Sequence, residues 1–297
     1  MSNYDTDYLI AQVKRRGTIP TSQSLFTPAK FVLMLDDELK TRIVPFLMAL
    51  RDEWYVTTLD YTGDGTTTTY PIPADAVGSK LRDVTLWGPG NNGNLKMDNN
   101  VPRLDPNSLY DANFGFYVQN NNIIFYPHAV ENNKTIRFTY FKRVPDLVLT
   151  TDAAQISVIA SNTVDTVATP PATFVNGASV QIVSSSSPFP VVFSSTITSV
   201  VGSTITFADT VTDSSVGGWV CLEGQSVFPQ IPIELVPCLC EAVVVKCLEA
   251  LGDTDGMQSA MANYQQMELS ARSTLAPKVD GAVKKIMNRK RLMRYIY

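Results

Sequence analysis

Apolar positions along the chain recur in two rhythms, and the changes of rhythm mark its organisation. Residues 3–16 place Tyr4, Tyr8 and Ala11 at helical spacing and stop at Gly17, which predicts a short amphipathic helix. A polar stretch over 18–24, with Pro20 inside it, leads to the clearest helix start in the chain. Thr27 is a good N-cap, because its hydroxyl can accept from a backbone N–H that has no partner inside the helix. Pro28 suits the first turn, where a missing N–H costs nothing. Phe31, Leu35 and Leu39 then form an apolar stripe widened by Val32 and Leu33, and the pattern resumes at Ile43, Phe46, Leu47, Leu50 and Trp54. Pro45 falls inside this run and predicts a break, giving two helices over 28–40 and 42–55.

From residue 57 the rhythm changes towards that of strands. Tyr61-Thr-Gly-Asp-Gly-Thr66 reads as a turn, 80–87 alternates through Leu81, Val84 and Leu86, and 88–100 reads as a long Gly/Asn-rich loop. Two apolar runs, 114–118 and 123–126, flank Gln119-Asn-Asn-Asn122, a hairpin signal because Asn tolerates the left-handed region. A third strand over 135–141 puts Ile136, Phe138 and Tyr140 on one face. These strands predict one antiparallel module over 57–150. The next stretch, 151–228, is rich in Val, Ser and Thr and poor in charge. It predicts short strands at 164–168, 179–183, 191–194, 196–200, 204–207 and 218–222, forming a small barrel or sandwich. Ser184 to Ser187 is low in complexity and reads as a loop.

Helical spacing returns after residue 228. Pro232 or Pro237 opens a helix that runs to Leu251 and stops at Gly252. Thr254 can cap the next, in which Met257, Met261, Tyr264, Met267, Ala271 and Leu275 make one stripe before Pro277. An isolated helix hairpin cannot bury its stripe, so the two helical ends are expected to pack together. The predicted fold class is α+β: a helical bundle from both chain ends, a large inserted all-β region, and an extended basic tail. The predicted divisions are 1–56 (first half of the bundle), 57–150 (β module), 151–228 (inserted barrel or sandwich), 229–276 (second half of the bundle) and 277–297 (tail).

Composition narrows the functional classes. No stretch approaches the about 18 uninterrupted apolar residues of a membrane span, and the polar, acidic start predicts no secretory signal. The four cysteines, Cys221, Cys238, Cys240 and Cys247, are too few and clustered for a disulfide framework. Cys238, Cys240 and Cys247 also lack the loop-borne spacing of a zinc knuckle and read as small buried hydrophobes. His128 is the one histidine, and it stands without a nucleophile motif. No phosphate-binding glycine loop is present; Gly63-Asp-Gly65 and Gly88-Pro-Gly90 are turn signals. Asp36, Asp37 and Glu38 are adjacent on a helix, point in different directions and read as a solvated face. The expectation is therefore a protein that is not an enzyme and takes no cofactor and no metal.

Charge is unevenly spread. Residues 278–297 hold seven Lys or Arg against Asp280, a net +6, so the rest of the chain carries −10 of the total of −4. In this tail Lys284, Lys285, Arg289, Lys290, Arg291 and Arg294 alternate with Ile286, Met287, Leu292, Met293, Tyr295, Ile296 and Tyr297. So many large apolar side chains suit insertion into a protein groove better than a purely electrostatic arm on nucleic acid.

Two parts of the chain resemble the head-to-tail adaptor (connector) proteins of tailed phages. One is Arg16-Gly-Thr-Ile-Pro20 leading into 31–56, with Asp36-Asp-Glu-Leu-Lys-Thr-Arg-Ile-Val-Pro-Phe-Leu-Met-Ala-Leu-Arg51 inside it. The other is the pair of C-terminal helices followed by the basic, apolar tail. The resemblance implies a homo-oligomeric, typically dodecameric ring beneath the portal protein, assembled in the host cytoplasm and resident in the virion. In it Lys284 to Tyr297 would dock on the portal, tail or collar proteins would contact the β parts, and packaged DNA would pass an acidic channel without sequence-specific binding or a membrane. Two other readings remain open: another tail, collar or nozzle ring protein, and a carbohydrate-binding or adhesion module using Trp87 and Trp219.

Overall fold

Helices occupy both ends of the described chain and strands its middle. The fold is known from a computed structural model that describes residues 4–20, 24–51, 53–89, 95–106, 114–211 and 216–276. Among these residues the chain is a mixed α/β protein with a large antiparallel region, and no helix is long and apolar enough to cross a membrane.

Helix α1 (Thr6–Arg16) starts later than the spacing predicts, because the Asp5 carboxylate accepts from Tyr8 N at 2.9 Å and fixes the first turn there. Its buried face is also a different one. Leu9, Ile10 and Val13 turn inward and Ala11 is exposed, with Thr6 Oγ1 donating to Val148 O at 2.9 Å to set the roll of the helix.

Helix α2 (Pro28–Glu38) begins as predicted, with Thr27 accepting from Lys30 N. Pro45 does not split the run into separate helices. A π-helical turn over Leu39–Ile43 inserts before α3 (Val44–Leu50), and Pro45 sits in α3's first turn, where it needs no donor. The run ends at Leu50 rather than residue 55. Leu33, expected in the apolar stripe, is 69% exposed.

The first β region is two sheets rather than one. Strands β1 (Val56–Thr62), β3 (Ala76–Pro89), β4 (Leu95–Asn100) and β7 (Thr135–Lys142) form a four-stranded sheet of order β1-β7-β3-β4. Strands β2 (Thr69–Pro71), β5 (Gly115–Gln119) and β6 (Asn122–Tyr126) form a second sheet of order β2-β6-β5. Their facing side chains share one core, in which Ile136, Phe138 and Tyr140 lie on one face of β7 as predicted and meet Phe116, Ile123 and Phe125. The β5–β6 turn is also as read, with Asn120 and Asn121 both at positive φ. Strand β4 corrects the expected loop over 88–100: its last four residues are exposed, so it is held by the β3 ladder rather than by burial.

After β8 (Asp146–Leu147), strands β9 (Ala154–Ala160), β10 (Thr163–Thr166), β11 (Ser179–Val183), β12 (Val191–Val201), β13 (Thr204–Phe207) and β14 (Trp219–Leu222) close as a barrel of order β10-β13-β12-β11-β14-β9. The two strands expected at 191–194 and 196–200 are one. The first half of β12 pairs with β11 and the second with β13, across an irregularity between Ile197 and Ser199 that bends it round the barrel. Strand β9 had no counterpart in the sequence reading. Val164, Ile182, Ile197 and Ile205 fill the interior.

Strand β15 (Gln225–Ser226) leads through a 3₁₀ turn (Ile233–Leu235) into α4 (Val236–Leu251) and α5 (Thr254–Leu275). Gly252 ends α4 in the left-handed conformation, φ 74°. Asp253, not Thr254, caps α5, its carboxylate accepting from Gly256 N at 2.9 Å. Helix α4 is buried almost all round. Helix α5 buries Tyr264 and Ala271 of the predicted stripe but leaves Met261 exposed. Leu9, Phe31, Leu35 and Leu47 share a single apolar cluster with Leu239, Val243, Cys247 and Tyr264. Full burial of each such side chain contributes about 1.5–3 kcal/mol.

Candidate assembly surfaces

Each β region leaves and rejoins the helices through strands that bond to each other. For the first, β1 pairs with β7 from Val56↔Phe141, and Lys142 N donates to Tyr55 O at 2.7 Å. For the barrel, β8 and β15 run parallel, with Asp146 N donating to Gly224 O at 2.8 Å and Val148 N to Ser226 O at 3.0 Å. Two short necks thus carry the β structure.

The second neck is pinned on α2 by a polar cluster that the sequence reading assigned to a solvated face. Asp36 Oδ1 accepts from Leu147 N at 3.0 Å, and Lys40 donates to both Asp36 and Asp146. Glu38 is 2% exposed and lies 3.1 Å from Arg42, whose guanidinium covers the Tyr264 ring. Burial pushes the Glu38 carboxyl above its ordinary range, against the opposing pull of Arg42 and Lys246. Only Asp37 is exposed as expected. A second ion pair, Arg16 to Glu241 at 3.1 Å, joins α1 to α4. Glu38 and Arg42 are spaced i,i+4 on one helical run, whereas the Arg16–Glu241 pair is invisible to residue spacing, because helix packing chooses its partners.

Residues singled out for chemistry do not converge. His128 is exposed, stacks on Phe114 with ring centroids 4.9 Å apart, and holds Nδ1 2.9 Å from Ala129 O. It shares a cleft of about 180 Å³ with Glu131 and the Asp98–Lys134 ion pair, and that lining includes no Ser, Thr or Cys. All four cysteines are free and buried. Burial pushes the Cys221, Cys240 and Cys247 thiols up to about 12 and Cys238 up to about 11, far from the thiolate form that nucleophiles and metal ligands need. Among the described residues no group of three or more His, Cys, Asp or Glu is arranged to hold a metal. Trp219 is buried, which corrects its reading as an exposed aromatic. Trp87 is half-buried, bonded through Nε1 to Thr85 and covered by Arg137.

The helical side carries exposed apolar surface instead. Leu25, Leu33 and Met34 of the α2 region and Ala250 of α4 line a shallow depression of about 350 Å³, with Leu251 exposed next to Ala250 along the chain. On α5, Leu269 is 62% exposed. A separate cleft of about 430 Å³ is lined by Trp54, Tyr55, Pro188 and Pro190, where Tyr55 OH donates to Gln230 O at 3.3 Å. Beside it Arg51 Nε donates to Leu275 O at 3.1 Å, which ties the end of α5 to the end of α3. The sequence-predicted docking segment, Lys284, Lys285, Arg289, Lys290, Arg291, Leu292, Met293, Arg294, Tyr295, Ile296 and Tyr297, lies outside the described residues. No protein-family model matches the chain, and no curated protein matches it.

Proposed function

We propose that this chain is a structural subunit of a homo-oligomeric ring at a phage head-to-tail junction, acting as an adaptor rather than an enzyme. In this reading α1 to α5 form one bundle from both chain ends, the two β regions are insertions facing tail or collar proteins, and the tail from residue 277 docks on a portal protein. The observation that carries it is the pairing of an exposed apolar helical surface with that tail. Leu25, Leu33 and Leu251 leave the bundle incompletely covered, and large patches of this kind mark association sites. The last twelve residues of the tail hold seven large apolar residues and four Arg or Lys. Interface anchors are enriched in aromatic residues and Arg. The net charge of −10 outside the tail suits a channel past which DNA slides.

Light scattering and negative-stain imaging, with the full chain alone and with a candidate portal, test the reading. Rings, alone or formed on the portal, are expected, and removal of residues 278–297 should abolish portal capture. A monomer that ignores portals would overturn it. The carbohydrate-binding alternative is not favoured by Trp219, which is buried, or by Trp87, which lies under Arg137.

A further inference from the structure

A cleft of about 510 Å³ lies where β4 peels away from β3. The β3–β4 ladder runs from Pro89 back to Thr85, and Val101 N still donates to Val84 O at 2.8 Å. The chain then crosses to the other sheet. Phe116 N donates to Pro102 O at 3.0 Å, and Leu104 N donates to Phe116 O at 2.7 Å. Strand β3 continues towards Ala76 with β7 on its other side, so a wedge opens between its first half and β5.

Three features of the wedge point to an occupant. The first is main-chain hydrogen bonding. Phe116 turns its N–H and C=O away from β6 towards Pro102 and Leu104, so Val118, two residues on, turns its own pair to the same side, where it meets no backbone partner among the described residues. The second is an orphan acceptor: Asp83 lines the wedge, and its Oδ1 is buried with no hydrogen-bond partner. Buried carboxylate oxygens are nearly always satisfied, so a donor is missing there. The third is the division of the lining into an apolar floor and a basic rim. Val84, Val101 and Phe116 are buried, whereas Lys80 and Arg103 are exposed at the edge.

We propose that this wedge accepts an extended acidic peptide segment of a partner protein, added as a strand along β5. Its backbone would pair with Val118 and give an N–H to Asp83 Oδ1, alternate apolar side chains would cover the floor, and acidic ones would meet Lys80 and Arg103. A single-stranded nucleic acid would use the same rim, but it would leave the strand edge and the apolar floor unmatched. The site lies on the β structure and does not depend on the adaptor reading.

The test uses the full chain and fluorescein-labelled hexapeptides of alternating Glu and Val or alternating Lys and Val, read by anisotropy. The Glu/Val peptide should bind at least about tenfold more tightly than the Lys/Val peptide. The exposed pair Lys80→Glu and Arg103→Glu should reverse that preference. Val118→Pro removes the wedge-facing donor and leaves the β6 ladder intact, so it should weaken binding by a similar factor while melting stays cooperative. Hydrogen exchange at the Val118 amide should slow in the bound wild type. Equal binding of both peptides, indifference to the charge reversal, or tighter binding of oligothymidylate than of the Glu/Val peptide would overturn the proposal.

Discussion

The barrel and the helical layer solve the same burial problem in opposite ways. The barrel takes its core from within one continuous stretch: Ile156, Val164, Ile182 and Ile205 all lie between β9 and β14, and closure leaves no open edge. The helical cluster joins Leu9 and Phe31 to Leu239 and Val243 across the whole β structure, with α4 enclosed at its centre. Local closure makes the barrel's contacts short in sequence. The helices can complete their core only once both chain ends have met. Damage to the barrel should therefore stay local, whereas damage to α4 should reach the entire molecule.

The largest effect should come from α4. Leu239→Ala, at a fully buried position, should cost about 4 kcal/mol in urea unfolding, with the loss seen by probes in every region. Ile205→Ala in the barrel, also fully buried, should cost about 3 kcal/mol. Its faster hydrogen exchange should be confined to 154–222 while the α4 amides stay protected. Exchange that spreads into α4 would erase the distinction between the two regions.

Glu38 gives a smaller, pH-dependent test of the helical side. Its carboxyl is raised by burial, so the folded protein holds that proton more tightly than the unfolded chain. The resulting stability is fully present below the unfolded value of 4.5 and is lost as pH rises through the raised folded value. Glu38→Gln cannot ionise, so it should flatten this part of the stability curve and gain on the wild type towards neutral pH. Urea midpoints across that range measure it. The smallest effect on stability belongs to Leu33→Asp. At an exposed site it should shift unfolding by no more than about 0.5 kcal/mol, while reducing any self-association seen by light scattering.

Local chemistry was legible in the sequence wherever one or two residues dictate the backbone. Thr27-Pro28 starts α2, Asn120-Asn121 turns the β5–β6 hairpin and Gly252 stops α4, each for a reason carried by its own side chain or lack of one. The face of β7 was legible too, because one side of a half-buried strand shows its period directly. Strand β4 was not, since its exposed side chains leave no apolar trace, and neither was β9, whose burial alternates only over its first residues. The wedge beside Val118 was equally hidden, because it is made by two sheets parting.

Residue order alone thus determined the caps, the turns, the alternation of helical and strand segments, the acidic body and the basic, apolar tail. The tertiary structure decided which face of α1 turns inward, how Pro45 is absorbed by a π turn, that Glu38 is buried and Glu241 meets Arg16, and that β12 bends to close a barrel. These all depend on what lies opposite in space, and a partner more than two hundred residues away, as Glu241 is from Arg16, leaves no mark on local spacing.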